Sequence, residues 1–289
     1  MPELPEVETV RQGLIPEMNE KIIVRLDQRR LDLRWPLPKN MSERLTNSRI
    51  LGISRRSKYL LFTLSNGETL IIHLGMSGRL LAMKFKNDTR KLIGTFDLET
   101  GKFDKHDHII FFLDSDVAII YNDPRRFGAM DLIPTLGLDN HKWLRRLGPE
   151  PLSNNFSSKY LYEKLKQRKS SVKAALMDQT LIAGLGNIYV LEALWLSKIS
   201  PFRRADDIKK IEAEAIAISI KNVLVAAIEA GGTSLQDFRQ VGGEIGYFQR
   251  CLNVYGCSDT KCKNIRCSGT IQRVKQLGRT SYFCSNCQK

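Results

Sequence analysis

Runs of alternating or continuous apolar residues fill the chain up to about residue 133, and turn-forming pairs such as Asn66-Gly67 separate them. Alternation with a period of two is typical of strands with one buried face, and short continuous apolar runs are typical of buried strands. The polar, irregular stretch 83–105 is predicted to be a long surface loop or hairpin. We predict a two-layer β unit whose strands lie in KIIVRLDQRRLDLRW, RILGISRRSKYLLFTL, TLIIHLGMSGRLLAM, HDHIIFFLD and VAIIYND.

A helical period replaces this pattern in the following part of the chain. Residues 134–152 are rich in glycine, proline and asparagine, a composition typical of a linker. Three helical segments follow, with the break LIAGLGN between the last two: SSKYLYEKLKQR, SVKAALMDQT and IYVLEALWLSK. A long amphipathic helix is predicted over 208–230, with one of two aspartates as its N-cap and a glycine pair as its stop, namely Asp206 or Asp207 and Gly231-Gly232.

The charge balance of the chain suggests a polyanionic partner. The 289 residues include 45 basic and 31 acidic ones, which gives a net charge of +14, and 42% of them are hydrophobic, as in globular proteins. Nucleic acid is the first candidate partner and an anionic membrane surface the second. No run approaches the ~20 apolar residues of a membrane span, and the N-terminus lacks a secretory pattern. We therefore expect a cytoplasmic protein with no membrane partner.

All six cysteines lie between Cys251 and Cys287, which favours a metal site over a disulfide scaffold. Four of them form a C-x4-C and a C-x2-C pair sixteen residues apart, namely Cys262, Cys267, Cys284 and Cys287. Four thiolates suit tetrahedral Zn²⁺, and the segments TIQRV and TSYFC between the pairs predict a β-hairpin. We expect one structural zinc ion. Cys257 could replace Cys262, because the first pair is more widely spaced than usual, and Cys251 is expected to be a buried thiol.

The tail that bears these cysteines is strongly basic. From Asn253 to the end it has seven basic residues and one acidic residue, Asp259, a local balance of +6. A hairpin ordered by metal would present Arg279 at a turn, where an ordered guanidinium can clamp phosphates or enter a groove. Nucleic-acid binding is the better interpretation of the tail.

The opening segment MPELPEVETV permits two interpretations. Proline and acidic residues suit a helix start, so the prolines and glutamates, Pro2, Glu3, Glu6 and Glu8, could form a capping device and nothing more. Alternatively, removal of Met1 would leave Pro2 as a free secondary amine that can attack an electrophilic carbon and form an iminium ion. Glu3 would then be the nearest carboxylate.

Motifs at both ends of the chain together resemble one family. They are PELPEVE, RRSKYLL, IIHLGMSGRL, NDPRRFG, LGPEPL, LMDQTLIAGLGNIYVLEAL, GGTSLQDF and the cysteine hairpin. From Pro2 to Gln288 the chain resembles formamidopyrimidine-DNA glycosylase, which removes 8-oxoguanine and ring-opened purines in bacteria. The endonuclease VIII type is the close alternative, although it usually departs from PELPEVE and lacks the methionine and Arg-x-Phe set. A non-catalytic zinc-ribbon nucleic-acid-binding protein and, more weakly, an RNA-processing factor are alternatives from other classes.

The resemblance implies an α+β fold with three functional domains and a linker. A β-sandwich domain with an N-terminal helix spans 1–133 and carries the catalytic residues. The linker covers 134–152. A helical domain with a helix–two-turns–helix and a lesion-recognition loop spans 153–252. A zinc-finger β-hairpin spans 253–289.

The resemblance also implies the reaction. Pro2 attacks the sugar C1′, the base leaves, and the resulting iminium allows β- and then δ-elimination, which nick the strand on both sides. Glu3 is the acid/base group. Lys58 and Arg279 also belong to the catalytic set, and Lys58 contacts phosphate or assists at the damaged base.

Base removal requires that the nucleotide be flipped out of the duplex and the hole filled. The resemblance assigns the filling to Met76 as an apolar plug, Phe127 as a wedge and Arg125 as the partner of the orphaned base. It assigns DNA phosphate contacts to a set of polar side chains, namely Lys58, His73, Lys173, Asn187 and Arg279. Asn187 is predicted to lie at a helix start, where free N–H groups favour an anion.

A lesion pocket is implied in the segment RQVGGEIGYFQ and at the first helix. Its members are Glu6, Gly242, Gly243, Gly246 and Tyr247, and the family often has an acidic residue in place of Gly242. The implied partner is double-stranded, damaged DNA. We expect a monomer associated with the bacterial nucleoid.

Overall fold

A computed structural model describes residues 2–86, 89–92, 104–233, 241 and 246–289. It divides the chain into two compact units. The first unit comprises residues 1–145 and 230–247, and the second comprises 146–229 and 248–289. The segment that follows the long helix is thus grouped with the N-terminal strands, and the cysteine tail is grouped with the helices.

The described part of the first unit contains two α-helices and an antiparallel sheet. The helices are α1 (Leu4–Met18) and α2 (Met41–Leu45). The strands within the described residues are β1 (Ile22–Gln28), β2 (Ser48–Arg56), β3 (Tyr59–Leu64), β4 (Glu68–His73), β5 (Arg79–Lys86), β6 (Thr89–Leu92), β7 (Asp107–Leu113), β8 (Val117–Asn122) and β9 (Ala129–Pro134). Their order is β6-β5-β8-β7-β1-β2-β3-β4-β9.

The sheet has two halves that meet at the short pairing of β1 with β2, where Ile22 lies opposite Arg49 and Ile23 opposite Ser48. Alternate residues of both halves are buried in one core together with one side of α1. Examples are Phe62 of β3 and Phe111 of β7, each about 1% exposed. Because side chains alternate between the two faces of a strand, this shared core is what a β-sandwich requires.

Two strands lie outside the five predicted strand segments, and one of them, β6, belongs to the hairpin that was one of the two alternatives for 83–105. β6 pairs with β5 as in a hairpin over the described residues 83–86 and 89–92, and residues 87–88 and 93–103 lie outside the described part. β9 pairs with β4 over its whole length, from His73 opposite Ala129 to Glu68 opposite Pro134. Its proline lies at the end of an edge strand, where no ladder hydrogen bond is lost.

The second unit contains four helices and a hairpin among its described residues. They are α3 (Ser158–Lys166), α4 (Val172–Met177), α5 (Asn187–Leu196), α6 (Lys210–Glu229), β10 (Ile271–Gln276) and β11 (Arg279–Cys284). Ser157 and Ser171 cap α3 and α4, since their hydroxyl oxygens accept the N–H groups of Tyr160 and Ala174. The mixed α+β class, the helical domain and the zinc-finger hairpin are confirmed.

The start of α6 differs from the prediction. Asp206 and Asp207 lie in a 3₁₀ turn before the helix, and Asp206 pairs with Arg204 at 2.6 Å instead of capping. Glu212 takes the capping function from within the first turn, because its Oε2 accepts the N–H of Lys209 at 2.8 Å. The predicted stop is confirmed, since both glycines have positive φ angles (Gly231, +72°; Gly232, +80°). No helix in the described part of the chain is long and apolar enough to cross a membrane.

Candidate functional site

The N-terminus of α1 is organised by a reciprocal capping box. Glu3 is the N-cap and its carboxylate accepts the N–H of Glu6, while Oε2 of Glu6 accepts the N–H of Glu3 at 2.8 Å. Leu4 and Pro5 fill the first two helical positions. Pro2 is buried and precedes the N-cap, so it lies outside the helix. The capping role therefore belongs to Glu3 and Glu6. Pro2 takes no part in capping the helix.

Glu8 belongs to a different interaction. Its carboxylate pairs with Arg11 at 2.7 Å and with Arg55 of β2 at 3.0 Å. Burial would raise the pKa of Glu8, but the hydrogen bonds from the two guanidinium groups outweigh burial and lower it. Glu8 therefore fixes α1 against the sheet and keeps the capping box in place.

Glu6 connects the helix start to the segment that follows α6. Its Oε1 accepts the N–H of Thr233 at 2.8 Å, and Thr233 forms an isolated bridge with Tyr247. Gly246 packs so closely that a Cβ there would overlap the carbonyl group of Gly232. The structure thus brings three of the predicted pocket residues, Glu6, Gly246 and Tyr247, into one neighbourhood. The other two, Gly242 and Gly243, lie outside the described residues.

Lys58 lies in the turn before β3, and His73 lies on the neighbouring strand β4. Lys58 is 8% exposed in the turn before β3, and His73 ends β4 opposite Tyr59. The Nδ1 atom of His73 accepts the N–H of Gly75 at 3.0 Å. Burial, followed by the positive charges of Lys58 and Arg34, lowers the pKa of His73 to about 4. His73 is therefore neutral at pH 7, with Nε2–H as its available donor.

An aromatic stack that the sequence did not reveal supports this histidine. The Tyr59 ring lies 4.9 Å from His73 and 5.9 Å from Trp143, and Trp143 lies 5.4 Å from Trp35. Trp143 comes from the stretch expected to be a linker. Strand register pairs Tyr59 with His73, but Trp35 and Trp143 lie outside the strands, so no local pattern in the sequence indicated that the four rings are close together.

Replacement of His73 should change how stability depends on pH. The unfolded chain binds a proton at this residue below about pH 6.5, whereas the folded chain does not until about pH 4, so acidification destabilises the native state. We expect a loss of roughly 3 kcal/mol between pH 7 and pH 4 that His73→Asn does not show. Denaturant unfolding of the two proteins across this range measures it. Parallel curves would contradict the lowered pKa.

The predicted void-filling residues lie on two loops that pack against each other. Met76 is half-buried, Arg125 is exposed, and the ring of Phe127 is 43% exposed. The Arg125 guanidinium carbon lies 4.9 Å from the centre of the Phe127 ring. At Gly75 (φ +64°) a Cβ would overlap the backbone of Phe127, so only glycine permits this approach of the two loops.

Asp123, whose function the sequence does not indicate, orients both loops. Its fully buried carboxylate accepts the Ser77 hydroxyl at 2.5 Å and the N–H of Gly128 at 2.8 Å. The N–H of Arg125 in turn donates to the Ser77 oxygen at 3.1 Å. Burial and the Asp123 charge raise the pKa of Tyr121, whose hydroxyl also donates to Asp123. An acidic residue next to a proline in a loop is typical of a turn, so the sequence did not indicate this function.

The four cysteines predicted as zinc ligands lie together. One sulfur from each of the four cysteines lies within 4.8 Å of all the others, namely those of Cys262, Cys267, Cys284 and Cys287. Zinc–sulfur bonds of about 2.3 Å give tetrahedral edges of about 3.8 Å. Two edges here measure 3.7 Å (Cys262–Cys287) and 3.5 Å (Cys267–Cys284), so the residues fit one structural Zn²⁺.

The two remaining cysteines lie outside this four-sulfur group. The Cys257 sulfur lies 3.6 Å from the carbonyl oxygen of Tyr255 and outside the four-sulfur group, which settles the alternative left open by the spacing. The expectation that Cys251 is buried was wrong, since its thiol is exposed. A 3₁₀ turn over Phe248–Cys251 directs Phe248 inward, and Leu252 is also buried, so Cys251 is left at the surface.

Three predicted phosphate ligands lie together around the start of β11. Lys173 is 1% exposed and its Nζ donates to the Ser281 hydroxyl at 2.7 Å. Asn187 begins α5 after Gly186, and its Nδ2 donates to the carbonyl oxygen of Thr280 at 2.9 Å. Arg279 precedes Thr280 in the same strand. Burial, followed by the charge of Arg279, lowers the pKa of Lys173 to about 8. We call Lys173, Asn187 and Arg279 the cationic cluster.

Three family models match the chain in order. Residues 1–130 match the N-terminal domain of formamidopyrimidine-DNA glycosylase, and residues 147–239 match its H2TH domain. Residues 261–289 match the zinc finger found in FPG and IleRS. Relatives named formamidopyrimidine-DNA glycosylase are similar over the full length of both chains. The one from Ruegeria pomeroyi is 52% identical over 289 residues and the one from Roseobacter denitrificans 50% identical.

Solved structures of the same family have the same fold. A complex between a Lactococcus lactis FPG mutant and a Fapy-dG containing DNA has a TM-score of 0.87 and 35% identity, with 100% of both chains covered. The MutM (FPG) protein from Thermus thermophilus has a TM-score of 0.84 and 34% identity, covering 99% of this chain and 98% of that one.

Proposed function

The chain belongs to the formamidopyrimidine-DNA glycosylase family, and we propose that it excises oxidised purines through the amine of Pro2 after Met1 has been removed. The supporting observation is the capping box, which uses Glu3 and Glu6 to start α1 and places Pro2 just before the helix. A residue that does not start the helix is available for chemistry. Glu3, 3% exposed, lies beside it in the chain and serves as the acid/base group.

The reaction begins when the neutral nitrogen of Pro2 donates its electron pair to the sugar C1′. The bond between C1′ and the damaged base breaks, and the base leaves with those electrons and takes up a proton. An α-amine with a pKa of about 8 has a neutral fraction of roughly one tenth at pH 7. The nitrogen then loses its proton, the C1′–O4′ bond breaks as Glu3 supplies a proton to O4′, and the electron pair of the nitrogen forms the C1′=N bond of the iminium ion. The iminium ion acidifies the 2′ hydrogens, and β- and δ-elimination cleave the strand. Lys58 and Arg279 supply the further charged groups of the lyase steps.

When the damaged nucleotide is flipped out of the duplex, residues of the two loops that Asp123 orients would fill the space that it leaves. Phe127 wedges between base pairs, Met76 fills the vacated space, and Arg125 hydrogen-bonds the orphaned partner base. The exposure of Phe127 and Arg125 supports this role, because a large apolar ring beside a cation at the surface is suited to a nucleic-acid stack.

Phosphate binding is proposed for both units. In the first unit, neutral His73 would donate from Nε2 beside the charged Lys58. In the second unit, Lys173 and Arg279 supply positive charge, and the start of α5 supplies N–H groups and the helix dipole. The side-chain amide of Asn187 is already bound to Thr280, so its expected contribution is the backbone N–H. Damaged double-stranded DNA is therefore the proposed partner of a monomeric protein of the bacterial cytoplasm and nucleoid.

The lesion pocket would be built around Glu6, Gly246 and Tyr247, completed by Gly242 and Gly243. Backbone amides of a glycine-rich segment can approach a flipped base closely. The Lactococcus relative is described with a Fapy-dG containing DNA, which makes ring-opened purines the first substrates to test. The family resemblance adds 8-oxoguanine.

Borohydride trapping on an 8-oxoguanine duplex tests the proposal. Borohydride reduces an iminium ion, so an enzyme acting through an amine should yield a covalent protein–DNA adduct and a nicked strand. A matched duplex with an oxidised pyrimidine controls for the endonuclease VIII specificity. An intact, correctly processed protein that binds the duplex without an adduct would favour a non-catalytic zinc-ribbon protein instead.

A further inference from the structure

Helix α5 contacts the cysteine tail at three points along its length. At its start, Asn187 binds the carbonyl oxygen of Thr280. In its middle, the buried carboxylate of Glu192 accepts the N–H groups of Asn253, Val254 and Tyr255 at 2.9 Å each. Near its end, the indole N–H of Trp195 donates to the Cys262 sulfur at 3.4 Å. The helix is thus held against the tail from the cationic cluster to a zinc ligand.

The contact of Trp195 differs from the other hydrogen bonds to the cysteine sulfurs. The described N–H donors to Cys267 come from the tail itself, namely Gly269 and the side chain of Asn286, both at 3.4 Å. Trp195 belongs to α5 and packs against a buried cluster that contains Leu191, Cys262 and Cys284. Indole is a donor only, so a zinc-bound thiolate is a suitable acceptor for it.

We propose that Trp195 is a positioning residue through which zinc binding at Cys262 fixes α5 and thereby the cationic cluster. Groups that hydrogen-bond metal ligands orient those ligands and often change metal affinity by 10–100-fold. With zinc bound, Cys262 has a fixed position, its sulfur holds the Trp195 indole, and α5 is held in register with β11. Asn187 and Thr280 then stay in contact beside Arg279. The phosphate-binding half of this proposal rests on the function proposed above.

Trp195→Phe tests whether the indole N–H of Trp195 stabilises zinc binding at Cys262, because phenylalanine keeps the aromatic packing and lacks the N–H donor. Trp35→Phe is the matched control, a tryptophan replacement in the other unit. We expect the Trp195→Phe protein to release zinc to a colorimetric chelator about tenfold faster than wild type, with Trp35→Phe at the wild-type rate. Equal release rates for all three proteins would overturn the proposal.

Fluorescence provides a second measurement that needs no change at Trp195. The chain has three tryptophans, so Trp35→Phe/Trp143→Phe leaves Trp195 as the only indole. Zinc removal should shift its emission to longer wavelength as the indole loses its sulfur partner and meets water. Unchanged emission after complete zinc removal would contradict the contact even if Trp195→Phe failed to fold.

Coupling to the cationic cluster is tested with zinc-saturated protein and a duplex that contains an abasic-site analogue. We expect Trp195→Phe to bind several-fold more weakly than the wild-type protein, with a slope of log affinity against log salt that is smaller by the equivalent of about one phosphate contact. Faster zinc release with unchanged DNA affinity would overturn the coupling. If Arg279→Ala also left DNA affinity unchanged, the phosphate-binding proposal would fail separately, and the zinc-release result would still stand.

Discussion

A protein that keeps Met1, or carries a short extension before it, is expected to form no borohydride-trapped adduct with an 8-oxoguanine duplex. The nitrogen of Pro2 would then be part of an amide, whose electron pair is delocalised and cannot attack C1′. We expect base excision to fall by about 10³-fold or more, since loss of a nucleophile has effects of this order or larger in other enzymes.

Two controls separate lost chemistry from lost structure. The extended protein should still bind a duplex with an abasic-site analogue, because the capping box of Glu3 and Glu6 and the cationic cluster are unchanged. Pro2→Gly should keep measurable trapping, because it retains an N-terminal amine. Adduct formation by a protein whose N-terminus is shown by intact mass to be blocked would exclude Pro2 as the nucleophile.

Replacement of Lys173 by methionine is expected to weaken DNA binding by about 10–100-fold at pH 7, the value of a charge-assisted hydrogen bond of 1.5–3 kcal/mol. The methionine retains an unbranched apolar stem in the buried position. The slope of log affinity against log salt should also fall by about 0.9. Lys166→Met is the matched control, because Lys166 is an exposed lysine of the same unit outside the cationic cluster.

The pH dependence of binding identifies Lys173 more specifically. Its pKa of about 8 in the free protein means that the proton is present below pH 8 and lost above it, whereas a bound phosphate would retain it. Wild-type affinity should therefore fall about tenfold more than that of Lys173→Met between pH 7 and pH 9. Fluorescence anisotropy at constant ionic strength measures both proteins. Equal pH profiles would show that Lys173 does not bind phosphate.

Much of the fold follows from local patterns in the sequence. Strand alternation, the helical period of α3 to α6 and the Gly231-Gly232 stop each depend on residues close together in the chain, and these predictions held. β9 escaped notice because its sequence AMDLIP follows a turn motif directly and ends in proline. The prediction placed the N-cap of α6 at Asp206 or Asp207, because an aspartate near a helix start is typical of a cap. The sequence does not show that Arg204 binds Asp206 instead.

The site could be predicted only where residue type and spacing determine the chemistry. The zinc ligands were recognisable, but the choice between Cys257 and Cys262 depended on how the chain folds between them. The functions of Asp123, Glu192 and Trp195 were hidden, because their partners lie at other positions of the chain and no spacing rule connects them. Of these, the Trp195 contact with Cys262 joins residues that are 67 positions apart.

The central claim is that Pro2 is the reacting nitrogen, and peptide mapping of the borohydride-trapped adduct tests it most directly. Trypsin should release residues 2–11 as the peptide PELPEVETVR. We predict that this peptide carries the mass of the reduced sugar remnant on its N-terminal proline and that Met1 is absent from every adduct molecule. A remnant found on a lysine peptide, or an adduct that retains Met1, would contradict the account.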